Sequence, residues 1–284
     1  MGGLDPVSVR FAVLSDTHRA PGGTADGIWN NVTRLSVSAR LLDAAVAEIV
    51  AAGHDQVLHL GDVSEFGDDD MISAALGAIS NAGLRCWVVA GNHDVISSAG
   101  AVAKAAQSAV GFSLEADHRY LHEEIALYGP GLKSEDGGRT CRATQLPSLR
   151  AVHARLLVWS SHYPLLSQRA KLHAAGLRYP GDLINLDDVQ RATRHFSGPM
   201  LVLHGHLHTG VTELDGSLLQ VGVPAVVEWP HAWTDITIDI AGDAVTVRTA
   251  LRSIAGQWSD GTHNTVLHAA RQQWTFDGQW SASS

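Results

Sequence analysis

The stretch RFAVLSDTH, residues 10–18, decides how this chain is read. Four apolar residues in a row, Phe11 to Leu14, predict a strand buried on both faces, because a half-exposed strand would alternate apolar with polar. The run gives way to Ser15, Asp16, Thr17 and His18, so a carboxylate and an imidazole stand where the strand ends. Working outward, Gln56 to Leu60, Leu84 to Ala90, Leu156 to Ser160 and Met200 to His204 repeat the form, each closed by a polar or glycine-containing turn. Between the first three strands, Ser36 to Ala52 places Leu41, Leu42, Ala45, Val46 and Ile49 on one helical face, and Asp70 to Ala82 does the same with Ile72, Leu76 and Ile79. Strand and helix in alternation predict a parallel α/β sheet. From about Val211 the pattern changes to strands separated by tight turns at Asp215-Gly216 and Gly242-Asp243, which predicts antiparallel pairing in the second half.

The 284 residues suffice for one or two domains. No Pro- or Ser-rich linker and no internal repeat divides them, so residues 1–252 read as one domain. The tail, 253–284, holds Trp258, Trp274 and Trp280 and the pattern of a short helix around Thr265 to Gln273. It is expected either to pack on the domain or to serve a partner subunit in a homo-oligomer. With 20 Lys and Arg against 29 Asp and Glu, the formal charge of −9 argues against a nucleic-acid polymer as partner. Cys86 and Cys141 are too few for a disulfide framework and read as small buried hydrophobes. No cationic start precedes an apolar run, and no stretch of 18 apolar residues occurs, so the expectation is a cytoplasmic protein without a membrane partner. The 16 histidines stand out, because imidazole is the commonest metal ligand and the usual proton carrier near neutral pH.

In an open parallel sheet, ligands gather beyond the carboxyl ends of the strands. The five ends here carry Asp16-Thr17-His18, Gly61-Asp62, Gly91-Asn92-His93-Asp94, Ser161-His162-Tyr163-Pro164 and Gly205-His206-Leu207-His208. Asp16, His18, Asp62, Asn92, His162, His206 and His208 together offer more donors than one tetrahedral zinc would use. Two ions sharing a carboxylate fit the count, and a mixed nitrogen and oxygen set without thiolate suits Mn, Fe, Zn or Co. Two such ions about 3.5–4 Å apart are the arrangement used for in-line displacement at phosphorus. An isolated Asp-x-His or Gly-Asp is ordinary turn chemistry. It is the ordered set of five that carries the reading.

That ordered set, D-x-H, G-D, G-N-H-D, H-x-P and G-H-x-H, resembles the calcineurin-like metallophosphoesterase superfamily over residues 10 to about 250. The resemblance implies a four-layer αββα sandwich of two mixed sheets flanked by helices. It implies that Asp16, His18, Asp62 and His208 hold one metal ion, and that Asp62, Asn92, His162 and His206 hold the other, with Asp62 bridging. His93 would then be a general acid or phosphate contact, oriented by Asp94, as a departing alkoxide requires a proton. Purple acid phosphatases carry D-x-G and a tyrosine three residues past the bridging Asp, where this chain has His18 and Glu65. Phosphoprotein phosphatases carry arginines where it has Phe66 and Ala90. The pattern is similar to the small bacterial phosphodiesterase branch that acts on cyclic nucleotides and glycerophosphodiesters. The implied substrate is a small phosphodiester, with a phosphomonoesterase and a non-catalytic scaffold of the same fold as alternatives. Arg19 is the candidate cation beside the site, His204 and His59 read as strand residues, and 228–233 as packing or pocket mouth.

Overall fold

Phe11 and Val13 face one side of the first strand and Ala12 and Leu14 the other, and apolar partners cover both sides. The computed structural model shows why, describing residues 6–97, 100–108, 111–114, 118–146, 148–258, 267 and 269–283. Two mixed sheets lie face to face. The larger runs, edge to edge, through Trp280–Ala282, Arg271–Phe276, Ala244–Ser253, Ala232–Ala241, Val7–Leu14, Gln56–His59, Arg85–Val88 and Gly111–Ser113. The smaller runs through Thr212–Asp215, Leu218–Gly222, Met200–His204, Leu156–Ser161, Ile125–Tyr128 and Arg119–His122. Phe11, Val13, Leu58 and Trp87 of the first sheet meet Leu127, Val158, Leu201 and Leu203 of the second in one core between them. On the outer face of the larger sheet, Leu41, Leu42, Ala45 and Ile49 of helix Ser38–Ala51 and Ile72, Leu76 and Ile79 of helix Asp69–Asn81 cover Ala12, Leu14, Val57 and Val88. Helix Leu186–Thr193 contributes Val189 to the outer side of the smaller sheet, beside Trp159 and Val202. The result is the four-layer αββα sandwich, and a strand buried on both faces is the structural meaning of a continuous apolar run.

Val7–Leu14 pairs in parallel with Gln56–His59 and antiparallel with Ala232–Ala241. The expected antiparallel second half needs a correction. The hairpin across Asp215-Gly216 and the pair Ala232–Ala241 with Ala244–Ser253 are antiparallel, but Leu218–Gly222 runs parallel to Met200–His204. The loop after His204 carries the chain to the sheet edge, and the hairpin brings it back alongside in the original direction. The helix expected around Thr265 to Gln273 is also corrected. Residues 265, 266 and 268 lie outside the described residues, while Arg271–Phe276 is a strand on Ala244–Ser253 that buries Trp274 against the inter-sheet core. Pairing with an existing edge satisfies its backbone and overrides a weak helical pattern. Both cysteines are buried and free. Among the described residues, no helix is long and apolar enough to cross a membrane.

Candidate metal centre

The strand ends converge because the loops continue the ladder. Asp16 N–H donates to the Gly61 carbonyl (3.1 Å) and His18 N–H to the Asp62 carbonyl (2.9 Å). Gly205 N–H donates to the His162 carbonyl at 3.1 Å. The glycines of the motifs have a steric reason. A Cβ on Gly91 would lie 2.1 Å from Asp62 Oδ1, and one on Gly205 would lie 1.9 Å from Ser15 Oγ. Asp16, His18, Asp62, His206 and His208 all have φ between 41° and 64°. Non-glycine residues reach that region at an energetic cost, and such strain collects where side chains must be aimed.

The structure brings the expected donors to one centre. His208 Nε2 lies 3.2 Å from Asp16 Oδ1, and His162 Nε2 lies 3.2 Å from Asp62 Oδ2. His18 Nε2 stands between the two carboxylates, 3.9 Å from Asp16 Oδ1 and 3.5 Å from Asp62 Oδ2. Asn92 Oδ1 is 3.1 Å from His162 Nε2, and the His206 ring centroid is 5.0 Å from that of His162. Asp16, His18 and His208 offer ligand atoms within 4.8 Å of one another, and so do Asp16, Asp62 and His162.

The charges at this centre answer one another. Burial pushes both carboxyls up, yet the His208 charge and hydrogen bond hold Asp16 below the usual carboxylate range. His162 and His93 hold Asp62 well below it in the same way. Reciprocally, Asp62 outweighs burial and raises His162 to about 9, and Asp16 and Glu228 raise His208 well above the ordinary imidazole value. His206, buried and beside His162, is driven well down. Among the described residues, no lysine or arginine pairs with Asp16 or Asp62. His18 Nε2 is buried with no hydrogen-bond partner. Two buried carboxylates without a fixed cation, and a lone imidazole nitrogen aimed between them, fit divalent metal ions.

Two acids that the motifs leave out hold the imidazoles from behind. Glu65 Oε2 is 2.7 Å from His18 Nδ1, and Glu228 Oε2 bonds His208 Nδ1. The Leu60 carbonyl accepts from His162 Nδ1 at 2.8 Å. Occupying Nδ1 turns Nε2 of each ring toward the centre. Glu65 could be suspected from its place three residues after Asp62, whereas nothing near Glu228 in sequence marks it.

The expected role of Asp94 is corrected. Its carboxylate accepts from the backbone N–H of Val63 (3.1 Å), Ser64 (2.9 Å) and Gly91 (2.9 Å), so it ties two loops together instead of orienting His93. Burial and the nearby Asp62 charge push the Asp94 carboxyl up to about 6, against the pull of those donors. The His93 ring is held instead by the Glu65 carbonyl, 2.7 Å from Nδ1. Burial opposes a charge on His93, but Asp62 and Glu65 outweigh it and raise its pKa. His59 and His204 are fully buried, and burial lowers each to about 4. His59 is more than core: Gly61 N–H donates to its Nδ1 at 3.2 Å and its Nε2 meets Thr17 Oγ1 at 2.9 Å, bracing the first two loops.

A cavity of about 570 Å³ opens over the centre. His18, Asp62, Asn92, His93, His206 and His208 line one side. Arg139 lines it too, whereas Arg19, the expected cation, does not.

A sandwich that gathers carboxylates, an amide and imidazoles from the ends of both sheets around one open cavity has the form of a metal-dependent hydrolase. Residues 9–210 match the calcineurin-like phosphoesterase family. The chain belongs to that family of metal-dependent phosphoesterases. Among solved structures it is similar to a dimetal phosphatase from Danio rerio, with a TM-score of 0.64 and 16% identity, over 90% of this chain and 100% of that one. It is also similar to a purple acid phosphatase from yellow lupin, with a TM-score of 0.51 and 12% identity, over 89% of this chain and 53% of the lupin chain. At these identities the likeness is one of fold. No curated protein sequence matches the chain significantly.

Proposed function

We propose that this protein hydrolyses a small phosphodiester, using two divalent ions drawn from Mn, Fe, Zn or Co. Asp16, His18, Asp62 and His208 would hold one ion and Asp62, Asn92, His162 and His206 the other, with Asp62 shared. Bound there, the ions supply Lewis-acid polarisation of the phosphoryl oxygens and a lowered pKa for water. His93 lies beside the cluster, its ring centroid 4.7 Å from that of His18. With Nδ1 donating to the Glu65 carbonyl, Nε2 is the nitrogen free to pass a proton to the departing alkoxide. Glu65 and Glu228 keep two imidazoles aimed, and Asp94 holds the loops of Asp62 and His93 in register.

The observation that carries diester over monoester is the scarcity of fixed positive charge in the cavity. A monoester near pH 7 brings close to two negative charges, a diester one, so a monoesterase gains from cations beyond its metals. Arg139 is the one lysine or arginine among the lining residues, and it is exposed. In manganese, bis(p-nitrophenyl) phosphate is expected to show a higher kcat/KM than p-nitrophenyl phosphate, and Arg139→Ala to lower the monoester rate more than the diester rate. A monoester preference across several metals would reverse the reading to a phosphomonoesterase.

A further inference from the structure

The cavity lining also has an apolar wall. Ile28, Trp29, Leu35, Ile96 and Pro180 contribute to it, with the Trp29 ring beside that of His208, 6.2 Å between centroids. Ile28 is 72% exposed and Ile96 40%, an unfavourable use of large aliphatic side chains unless something covers them.

This wall is built, not incidental. Residues 27–33 form a small hairpin in which Gly27 pairs with Thr33 and Ile28 with Val32. It is anchored on two sides. Arg178 donates from its backbone N–H to Asn30 Oδ1 (3.0 Å) and from Nη1 to the Ile28 carbonyl (3.3 Å). The Asn31 N–H bonds Glu228 Oε1, while the other oxygen of the same carboxylate bonds His208 Nδ1. One acid thus sets the distance between a candidate metal ligand and the wall. The Arg178 guanidinium lies over the Trp29 ring, 5.5 Å from its centroid, and Arg178 does not line the cavity. The indole is therefore clamped from outside, and little freedom remains to be lost when a ligand binds.

We infer that this wall is a subsite for a flat aromatic group on the substrate, stacked against Trp29 while the phosphate lies over the His and Asp cluster. The inference rests on the phosphoesterase reading and narrows it. The substrate class is a phosphoester of an aryl or nucleobase-bearing alcohol, as opposed to one of glycerol or another polar aliphatic alcohol. A cavity of about 570 Å³ is ample for such a molecule. Stacking on an indole tolerates many rings because every ring offers a π face.

The test uses non-hydrolysable phosphonates, each as its methyl monoester so that it carries the single charge of a diester, titrated by calorimetry into the manganese-loaded full chain. Benzylphosphonate is expected to bind at least about ten-fold tighter than methylphosphonate, the usual worth of one stacked ring. It should also bind several-fold tighter than cyclohexylmethylphosphonate, which matches its bulk without being flat. Trp29→Leu should bring benzylphosphonate down to the cyclohexylmethyl level, and Trp29→Phe should restore most of the preference, which separates stacking from damage to the hairpin. A phosphonate analogue of adenosine 5′-phosphate distinguishes the two sources of the ring: tighter than benzylphosphonate assigns the wall to a nucleobase, weaker to a simple aryl group. Methylphosphonate binding as well as benzylphosphonate, or an aromatic preference that survives Trp29→Leu, overturns the subsite while leaving the phosphoesterase reading intact. Failure of all the phosphonates to bind overturns both.

Discussion

Two buried acid clusters in this molecule are built in opposite ways. At Asp235, on the strand beside the first, Arg10 closes on the carboxylate with Nε at 2.9 Å and Nη2 at 2.6 Å, and Arg252 Nη2 adds a third contact at 3.2 Å. Guanidinium is always charged and its fork matches both oxygens, so the carboxylate is satisfied within the fold. At the strand ends, Asp16 and Asp62 are as deeply buried, yet beyond the Ser15 hydroxyl and the backbone N–H groups of His206 and His93 their partners are imidazoles, which gain and lose protons near neutral pH. The first cluster has its carboxylate charge balanced by fixed cations, although His54 Nε2, 3.4 Å from Asp235 Oδ1, makes no hydrogen bond. The second keeps oxygen and nitrogen lone pairs available, and a divalent ion can replace the protons that would otherwise balance it. Burying a charge is therefore no mark of function by itself; what matters is whether its partner is permanent or exchangeable.

Removing the shared carboxylate should break this contrast most completely. Asp62→Ala is expected to lose both ions and turnover with them, as read by elemental analysis and a phosphodiester assay. Retention of about two metals per chain would refute the bridging role, since two-metal sites depend on a common ligand of this kind. His93→Ala should keep its metals and lose roughly 10²- to 10⁴-fold in turnover, less for good leaving groups that scarcely need a proton. Equal losses for good and poor leaving groups would make His93 a phosphate contact. Glu228→Gln should weaken metal binding or activity by about 10- to 100-fold, because His208 loses the carboxylate that aims its Nε2. Competition with a chelator of known affinity measures this, and wild-type affinity in the variant would remove Glu228 from the design.

The smallest effect belongs to the closed cluster. Asp235→Asn should cost about 1 kcal/mol and leave activity alone, since both arginines are partly exposed and can hydrate. Burial pushes the Asp235 carboxyl up, but its bonds to Arg10 and Arg252 win and hold it below the ordinary range. Its stabilisation is thus complete above the unfolded value of about 3.9 and is lost as pH falls through the folded value. Urea melts of wild type and variant should converge below that point. A gap that persists in acid would show that packing, not charge, holds this corner.

The run Phe11 to Leu14 and its four counterparts were legible as doubly covered strands because burial on both faces leaves a continuous apolar signal. The polar residues that close each run were legible as a site because strand ends in such a sheet point to one side, so local order along the chain already implies proximity in space. Not every such run stood out. Ile125–Tyr128 is an equally continuous run of four buried residues, but it ends in Gly129-Pro130-Gly131, with no side chain that could ligate an ion to mark it as one of the set. Nor could it be read which acid serves which imidazole, since Glu65, although near Asp62, is 47 residues from His18, and Glu228 is 20 from His208.

The identities of the donors, their order along the chain and their place at strand ends were therefore properties of the sequence by itself. The tertiary structure alone decided that Asp94 serves the backbone and not His93, that Leu218–Gly222 lies parallel to its neighbour, and that a hairpin at 27–33 sits beside His208 at the cavity. The physical reason is the same in each case. A side chain's local chemistry is carried by its own residue, but which group satisfies it depends on which distant segment packing brings within about 3 Å, and hydrogen bonds and ion pairs act only at that range.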